Sequence, residues 1–332
     1  MEEAIEIEFE RSEEEETRGE GAGRLSEEEV APWLSNETRL LSNPNFRLHN
    51  EIIDFYRFAG PSEASNAARH AWFLRVKELL EREIPNSFVG AFGSFATQLY
   101  LPSSDVDLVI INEDFSAAQL MKLTRRALRG RPDLFGNVEA VNAKVPLVKF
   151  SVEAAGLEFD ITFNESSGIT NAREVLAALQ LHPELPYLVL VAKLALRQRH
   201  LNNTYQGGVG SYLLFLMALA FVREYKAELR RNRRRPPAEA TLAEYLVNFL
   251  QFWGKFPFHV QEVVMADGGR LQRKRRPSDG FALYSPINDE DVGGAAFRFR
   301  AVFAVFKNRA SFLCNYPFRE GESVLKYLLN PS

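Results

Sequence analysis

Cysteine is almost absent: Cys314 stands alone in 332 residues, which rules out an internal disulfide and any cysteine-built zinc site. A small secreted scaffold held by cross-links is thereby excluded, and the composition suits a reducing compartment. A lone thiol of this kind is expected to be a small buried hydrophobe. Long apolar runs are missing too. The longest, residues 209–222, has 14 members and contains Gly210 and Ser211 near its start; roughly 20 are needed to cross a bilayer, so no membrane partner is expected. The first residues carry glutamates where a secretory signal has a basic and then an apolar stretch, and none is read there. Core material is plentiful. With 46% apolar and 12% aromatic residues, a chain of about two ordinary domains buries a core without staples.

Charge is unevenly spread. Residues 1–30 hold 13 glutamates against Arg11, Arg18 and Arg24, a local charge of −10 within a total of −4, so the remaining 302 residues sum to +6. The run Glu13 to Glu16 beside Gly21 and Gly23 has too little apolar surface to pack, and residues 1–32 are expected to form a disordered acidic tail. The body is modestly basic, which is compatible with a nucleic-acid partner. Two arginine-rich patches, residues 230–235 and 270–276, are expected to be solvated loops: Pro236-Pro237 ends one and Gly268-Gly269 opens the other.

Hydropathy periods divide the body. Leu48, Ile52, Ile53 and Phe55 recur at helical spacing up to Gly60-Pro61, and a second helix follows through Val76, Leu79 and Leu80 until Pro85. The period then changes to two over residues 87–93, 106–111, 145–150 and 157–163, with a helix over 117–128, which marks an α/β region. Beyond Phe163 the helical period returns over 172–179, 186–200, 210–226, 241–252, 297–312 and 323–329.

The chemistry is concentrated near the first of these strands. Gly93-Ser94 closes one strand; the glycine lets a phosphate approach the backbone and the serine adds a hydroxyl donor. Ser103-Ser104 opens the next, in which Asp105 and Asp107 share a face while Val106, Leu108 and Ile110 share the other. Two carboxylates side by side repel and raise each other's pKa, a penalty that a divalent cation removes. A third, Asp160, interrupts the apolar run Phe159, Ile161, Phe163. It completes a site if its strand lies beside that of Asp107, and three oxygen ligands of this type suit magnesium or manganese rather than zinc.

These blocks resemble the non-canonical poly(A) polymerases of the DNA-polymerase-β-like terminal nucleotidyltransferases, the class that tails nuclear RNAs with adenosine in TRAMP-type complexes. The resemblance spans roughly residues 46 to 328. It is carried by His49-Asn50-Glu51-Ile52 with Asp54-Phe55, the Gly93 to Asp107 block, Val145-Pro146-Leu147-Val148-Lys149-Phe150 and Phe159 to Phe163. It continues through Leu201-Asn202-Asn203, Gly207-Gly208-Val209-Gly210-Ser211-Tyr212, Arg276-Pro277, Pro286 and Asp291-Val292-Gly293.

The resemblance implies an α+β fold: a polymerase-β-like nucleotidyltransferase palm, a mixed sheet with helices, at residues 66–163. A mainly helical central domain, residues 33–65 and 164–330, would face it across the active-site cleft. It implies that Asp105, Asp107 and Asp160 hold two Mg2+ or Mn2+ ions, and that an RNA 3′-hydroxyl attacks the α-phosphate of ATP. Gly93 and Ser94 would hold the β- and γ-phosphates, joined by Lys193 and Arg197, which lie four apart on one helix face. Asn171 would bond the ribose, Ser211 a phosphate or sugar, and Tyr212 would stack on the base. A zinc-knuckle RNA-binding protein and an RNA helicase are implied as partners. The implied location is nuclear, with the nucleolus and the cytoplasm left open.

The sequence departs from the family at the loop before the last long helix. The residue ahead of Asp291-Val292-Gly293, commonly a base-reading Asn or His, is Glu290; Asn288 lies two earlier, and Gly294, Ala295 and Ala296 replace an Arg and Ser. An ionised glutamate only accepts hydrogen bonds, so Glu290 in the cleft favours the amine of adenine or cytosine over the O4 of uracil. The alternative is a solvated loop residue. Two further readings stay open, a terminal uridylyltransferase of the same fold and a nucleotide-binding scaffold without activity.

Overall fold

The computed structural model describes residues 31–142, 145–231, 240–315, 317–319 and 321–329. The expected acidic tail up to residue 30 and the arginines at 233–235, with Pro236-Pro237, lie outside the described residues.

Alternating apolar residues between Phe88 and Phe163 build one five-stranded mixed sheet. Its members are β1 (Phe88–Phe92), β2 (Val106–Ile111), β3 (Gly136–Val141), β4 (Leu147–Val152) and β5 (Leu157–Phe163). The order is β1-β2-β5-β4-β3, with β2 and β5 parallel and the other pairs antiparallel. One face, with Val106, Leu108, Ile110, Phe159 and Ile161, is buried. It packs with Val76 and Leu80 of α3 (Glu63–Glu83) and, once α4 (Gly93–Thr97) has turned the chain, with Leu120 and Leu128 of α5 (Ala117–Arg129). At about 25 cal/mol per Å2, each such buried side chain contributes on the order of 2 kcal/mol.

The second layer is helical. Two amino-terminal helices, α1 (Asn36–Arg39) and α2 (Pro44–Ala59), join α6 (Ser167–Leu181), α7 (Leu185–Arg197), α8 (Ser211–Arg231), α9 (Leu242–Gly254), α10 (Phe299–Asn315) and α11 (Lys326–Leu329). Leu48, Ile52 and Phe55 of α2 belong to the same buried cluster as Leu190, Phe215, Phe249 and Phe306. Leu99 and Leu101, between α4 and β2, also enter that cluster and join the two layers.

The His49-Asn50-Glu51-Ile52 block has a structural explanation. Glu51, fully buried, accepts from Trp33 Nε1 (3.0 Å), from the Ser323 hydroxyl, and from the backbone N–H of Val324 (2.8 Å) and Leu325 (3.1 Å). Asp54 accepts from the Ser35 N–H and hydroxyl and from the Thr38 hydroxyl (2.6 Å), while His49 Nδ1 accepts from the N–H of Leu242, the first residue of α9. One face of α2 thus pins chain segments nearly 300 residues apart.

Several expectations need correction. The patch at 270–276 is not a loop throughout: Arg270–Arg273 is strand β7, paired with β6 (Gln261–Val264) in a three-stranded sheet closed by β8 (Leu283–Tyr284). Lys274, at its end, is buried, with Nζ donating to the Ser278 hydroxyl and the Gly280 carbonyl at 2.7 Å. Arg230 and Arg231 close α8 rather than a loop. Cys314 is exposed, beside Gln251 Nε2 at 3.2 Å: it continues the stripe of Phe303, Phe306 and Ala310 but lies in the last turn of α10, past the last buried residue. Among the described residues, no helix is long and apolar enough to cross a membrane.

Candidate active site

The site begins where β1 ends. Gly93 has φ +65°, and a Cβ there would lie 2.2 Å from Asp107 Oδ2; backbone conformation and space both require glycine. The chain turns at once into α4, which carries Ser94, and Gln98 closes it in the left-handed region.

Strand register then assembles the charges. Phe92 pairs with Asp107, Asp107 with Asp160, and Asp160 with Lys149, one row across four strands. Residues in register on neighbouring strands project from the same face, so the condition set for Asp160, a strand beside that of Asp107, is met. Asp105 sits just before β2, which begins at Val106. The turn ahead of it is held by buried Arg69, which donates to the carbonyls of Ser104 (2.8 Å) and Pro102 (2.7 Å) and stacks on Tyr100.

Electrostatics follow from the crowding. Burial, then the charges of Asp160 and Asp105, push the Asp107 carboxyl up to about 7. Burial also raises Asp160, against the opposing pull of Lys149. Lys193, buried on α7, donates to the Leu99 carbonyl at 3.0 Å; burial pushes it down to about 8 although Asp107 and Asp105 pull the other way. Arg197, one turn on, donates to the Ser103 hydroxyl.

Two cavities meet here and share Ser94 and Ser211. One, about 310 Å3, is polar and lined by Asp105, Asp107, Lys193, Arg197 and Asn202. The other, about 330 Å3, is mainly apolar and lined by Gly93, Asn171, Val175, Val189 and Tyr212. Asn171 lies within α6, on its first turns, and the Tyr212 hydroxyl is 3.3 Å from Ser285 Oγ. Glu290 is exposed and lines neither cavity; Asn288 Nδ2 donates to its carboxylate at 3.0 Å, and its carbonyl accepts from the Ser285 N–H. The structure therefore gathers ten of the eleven expected residues and places Glu290 outside.

Sequence reading missed Lys149, whose Nζ is 2.6 Å from Asp160 Oδ2, although it stands in a block singled out above. Arg69 and Asn202 were missed as well; Arg69 carried no signal beyond a helix face, whereas Asn202 stands in the Leu201-Asn202-Asn203 block and was given no role. Among the described residues, no three His, Cys, Asp or Glu side chains are gathered closely enough to hold a metal, and Asp160 is engaged by Lys149. The donor set nevertheless fits a hard divalent cation: all donors are carboxylate oxygens, and their mutual repulsion, seen in the raised Asp107, is what such an ion relieves.

Comparison with known proteins agrees with this architecture. Residues 48–177 match the family model "Poly(A) RNA polymerase, mitochondrial-like, central palm domain". The chain is 29% identical over 289 residues to Poly(A) RNA polymerase CID14 of Cryptococcus neoformans, covering 83% of this chain and 37% of that protein. It is 33% identical over 233 residues to the Inactive non-canonical poly(A) RNA polymerase protein Trf4-2 of Drosophila melanogaster, covering 69% of this chain and 56% of that protein. The chain thus spans roughly a third to just over half of these relatives. The fold is shared with the polymerase core of TRAMP, an RNA surveillance complex: TM-score 0.80 at 24% identity, over 91% of this chain and 99% of that one.

Proposed function

We propose, from the premise that this chain belongs to the non-canonical poly(A) RNA polymerases and has their nucleotidyltransferase fold, that it adds adenylate from ATP to RNA 3′ ends without a template. The observation that carries the reading is the row Asp107, Asp160, Lys149 beside a polar cavity closed by Lys193 and Arg197.

In this reading the triphosphate occupies the polar cavity, with Gly93 and Ser94 at its β- and γ-phosphates and Lys193, Arg197 and Ser211 around it. The nucleoside lies in the apolar cavity, its ribose on Asn171 and its base on Tyr212, where stacking is worth about 1–3 kcal/mol. Asp105, Asp107 and Asp160 would hold two Mg2+ or Mn2+ ions, which supply Lewis acidity at the attacking hydroxyl and at the departing phosphates. The RNA O3′ forms the new bond to the α-phosphorus, and the bond from that phosphorus to the bridging oxygen breaks. Pyrophosphate leaves against Lys193 and Arg197. Lys149 donates to the Asp160 carboxylate and opposes the rise that burial causes there.

Adenylate is favoured over uridylate by the names that the relatives carry. A zinc-knuckle RNA-binding protein, an RNA helicase and a nuclear surveillance role belong to the same proposal, supported by the fold shared with the TRAMP polymerase core.

The test is extension of a labelled oligoribonucleotide with magnesium or manganese and each triphosphate in turn. ATP is expected to be used, and Asp105→Ala, Asp107→Ala and Asp160→Ala each to abolish extension while the protein stays folded. Extension by Asp160→Ala at near wild-type rate removes Asp160 from the site; no extension by wild type with any triphosphate leaves the scaffold reading.

A further inference from the structure

Between α7 and α8 the chain makes a tightly bonded turn. Asn203 Oδ1 accepts the N–H of Tyr205 (3.0 Å) and of Gln206 (3.3 Å), and the N–H groups of Gly207 and Gly208 return to the carbonyls of Thr204 and Asn203. Gly207 has φ +73°. So fixed a turn normally serves to bury something, yet Tyr205 is 74% exposed. Among the described residues, no hydrogen bond or ring contact engages its side chain.

A second aromatic shares the turn. Phe297, 69% exposed, lies flat on Gly207, where a Cβ would come within 2.4 Å of its ring. Arg298 fixes this contact, its N–H donating to the Gly207 carbonyl at 2.9 Å and its Nη1 to the His200 carbonyl at 3.0 Å. Two aromatic faces are thus held rigidly toward water, which contributes nothing to the core.

Their position is informative. Asn202, three residues before Tyr205, lines the polar cavity with Asp105 and Asp107, and Lys149 extends the carboxylate row through its bond to Asp160, with Tyr205 the last among the influences on its ammonium. Neither Tyr205 nor Lys149 lines the two cavities assigned to ATP. The turn thus runs from the cavity wall at Asn202 to an exposed aromatic outside the space assigned to ATP. An aromatic face beside a cation is the recognition unit of single-stranded nucleic acid, because every base has a π-face and every linkage a charge.

We propose that Tyr205 is the platform on which the 3′-terminal base of the RNA stacks, with Lys149 facing the adjoining phosphate and Phe297 extending the apolar rim. This rests on the transferase reading above for the identity of the strand. A flat ring on the turn that leads into Ser211 and Tyr212 couples the two substrates, since the terminal base and the incoming base are then stacked from one loop. Stacking without hydrogen-bond readout makes this contact indifferent to the terminal base.

The test is binding of a fluorescent single-stranded oligoribonucleotide to the full chain by anisotropy without triphosphate, with steady-state extension beside it. Tyr205→Ala is expected to weaken RNA binding about tenfold and to raise KM for RNA, with KM for ATP changed less than twofold; Tyr205→Phe is expected to stay near wild type. An oligonucleotide abasic at its 3′ end should bind the wild type as weakly as the intact one binds Tyr205→Ala, with no further loss in that variant. Equal losses on intact and abasic RNA, or equal rises in KM for both substrates, overturn the proposal. Should wild type fail to extend RNA at all, the transferase reading falls, while the binding comparison still decides the role of Tyr205. The exposed position makes an unchanged thermal midpoint the expected control.

Discussion

At the residue scale, Asp107 joins fold to chemistry. Its folded-state carboxyl is raised to about 7, so the folded protein holds that proton more tightly than the unfolded chain does. Stability is then greatest below the ordinary carboxylate range and falls as pH rises from about 4 to about 7, by at most ~4 kcal/mol. In chelator, Asp107→Asn is expected to flatten that slope and to be more stable than wild type above pH 7. Magnesium or manganese should raise the thermal midpoint of wild type and not of the variant. A variant less stable than wild type at pH 8 in chelator would show that the repulsion is relieved within the fold.

In this structure Glu290 reaches the base pocket only through its backbone. Its carbonyl holds Ser285, whose hydroxyl meets that of Tyr212, so it stands two bonds from the ring assigned to the base. Because its side chain lines neither cavity, Glu290→His is expected to leave the preference among the four triphosphates unchanged, and a shift from ATP toward UTP would show that the side chain turns into the cleft. An unchanged profile assigns base choice to the Tyr212 pocket alone.

At the scale of elements, α2 shows what the family block near its middle is for. Burial raises the Glu51 carboxyl, and four hydrogen bonds offset that cost. Glu51→Ala leaves the Trp33 indole, the Ser323 hydroxyl and two backbone N–H groups without their acceptor and is expected to cost about 3 kcal/mol. Chemical denaturation measures this directly, and a loss under 1 kcal/mol would remove Glu51 from the role of a clamp. That role was not legible in the sequence, which shows a glutamate on a helix but not the segments near residues 33 and 324 that come to it. Strand β5 was legible because its alternation is strict, and β2 because Val106, Leu108 and Ile110 share one buried face. Strand β3 was not: Asn137 has φ +50°, and the register slips between Gly136 and Glu139, which breaks the alternation a reader relies on. The small sheet escaped for a different reason, its strands being two to four residues long with arginines at both ends of β7. In the site, residue types close in sequence were found, whereas Lys149 is recognisable only through its register with Asp160.

At the scale of the molecule, charge distribution sets how RNA is held. The body's +6 is small, and among the described residues the basic strand β7 lies in a sheet apart from the carboxylate row. RNA binding by the isolated chain is therefore expected to be weak and to fall steeply as salt rises from 50 to 200 mM. Deleting residues 1–30, with their −10, is expected to leave extension unchanged or improve it. Tight, base-specific binding that persists at high salt, or loss of extension on deletion, would contradict this.

The carboxylate of Glu51 also sets a timetable. The sheet layer's core residues all fall between Val76 and Phe163, so on the ribosome that layer can close while the rest is still being made. Helix α2 emerges earlier yet finishes later, since its acceptor waits for Ser323, Val324 and Leu325. Until those residues leave the exit tunnel the nascent chain carries a finished palm and an open helical layer. Arrival of residues 323–325 at Glu51, rather than formation of the carboxylate row, is the step that completes the helical layer.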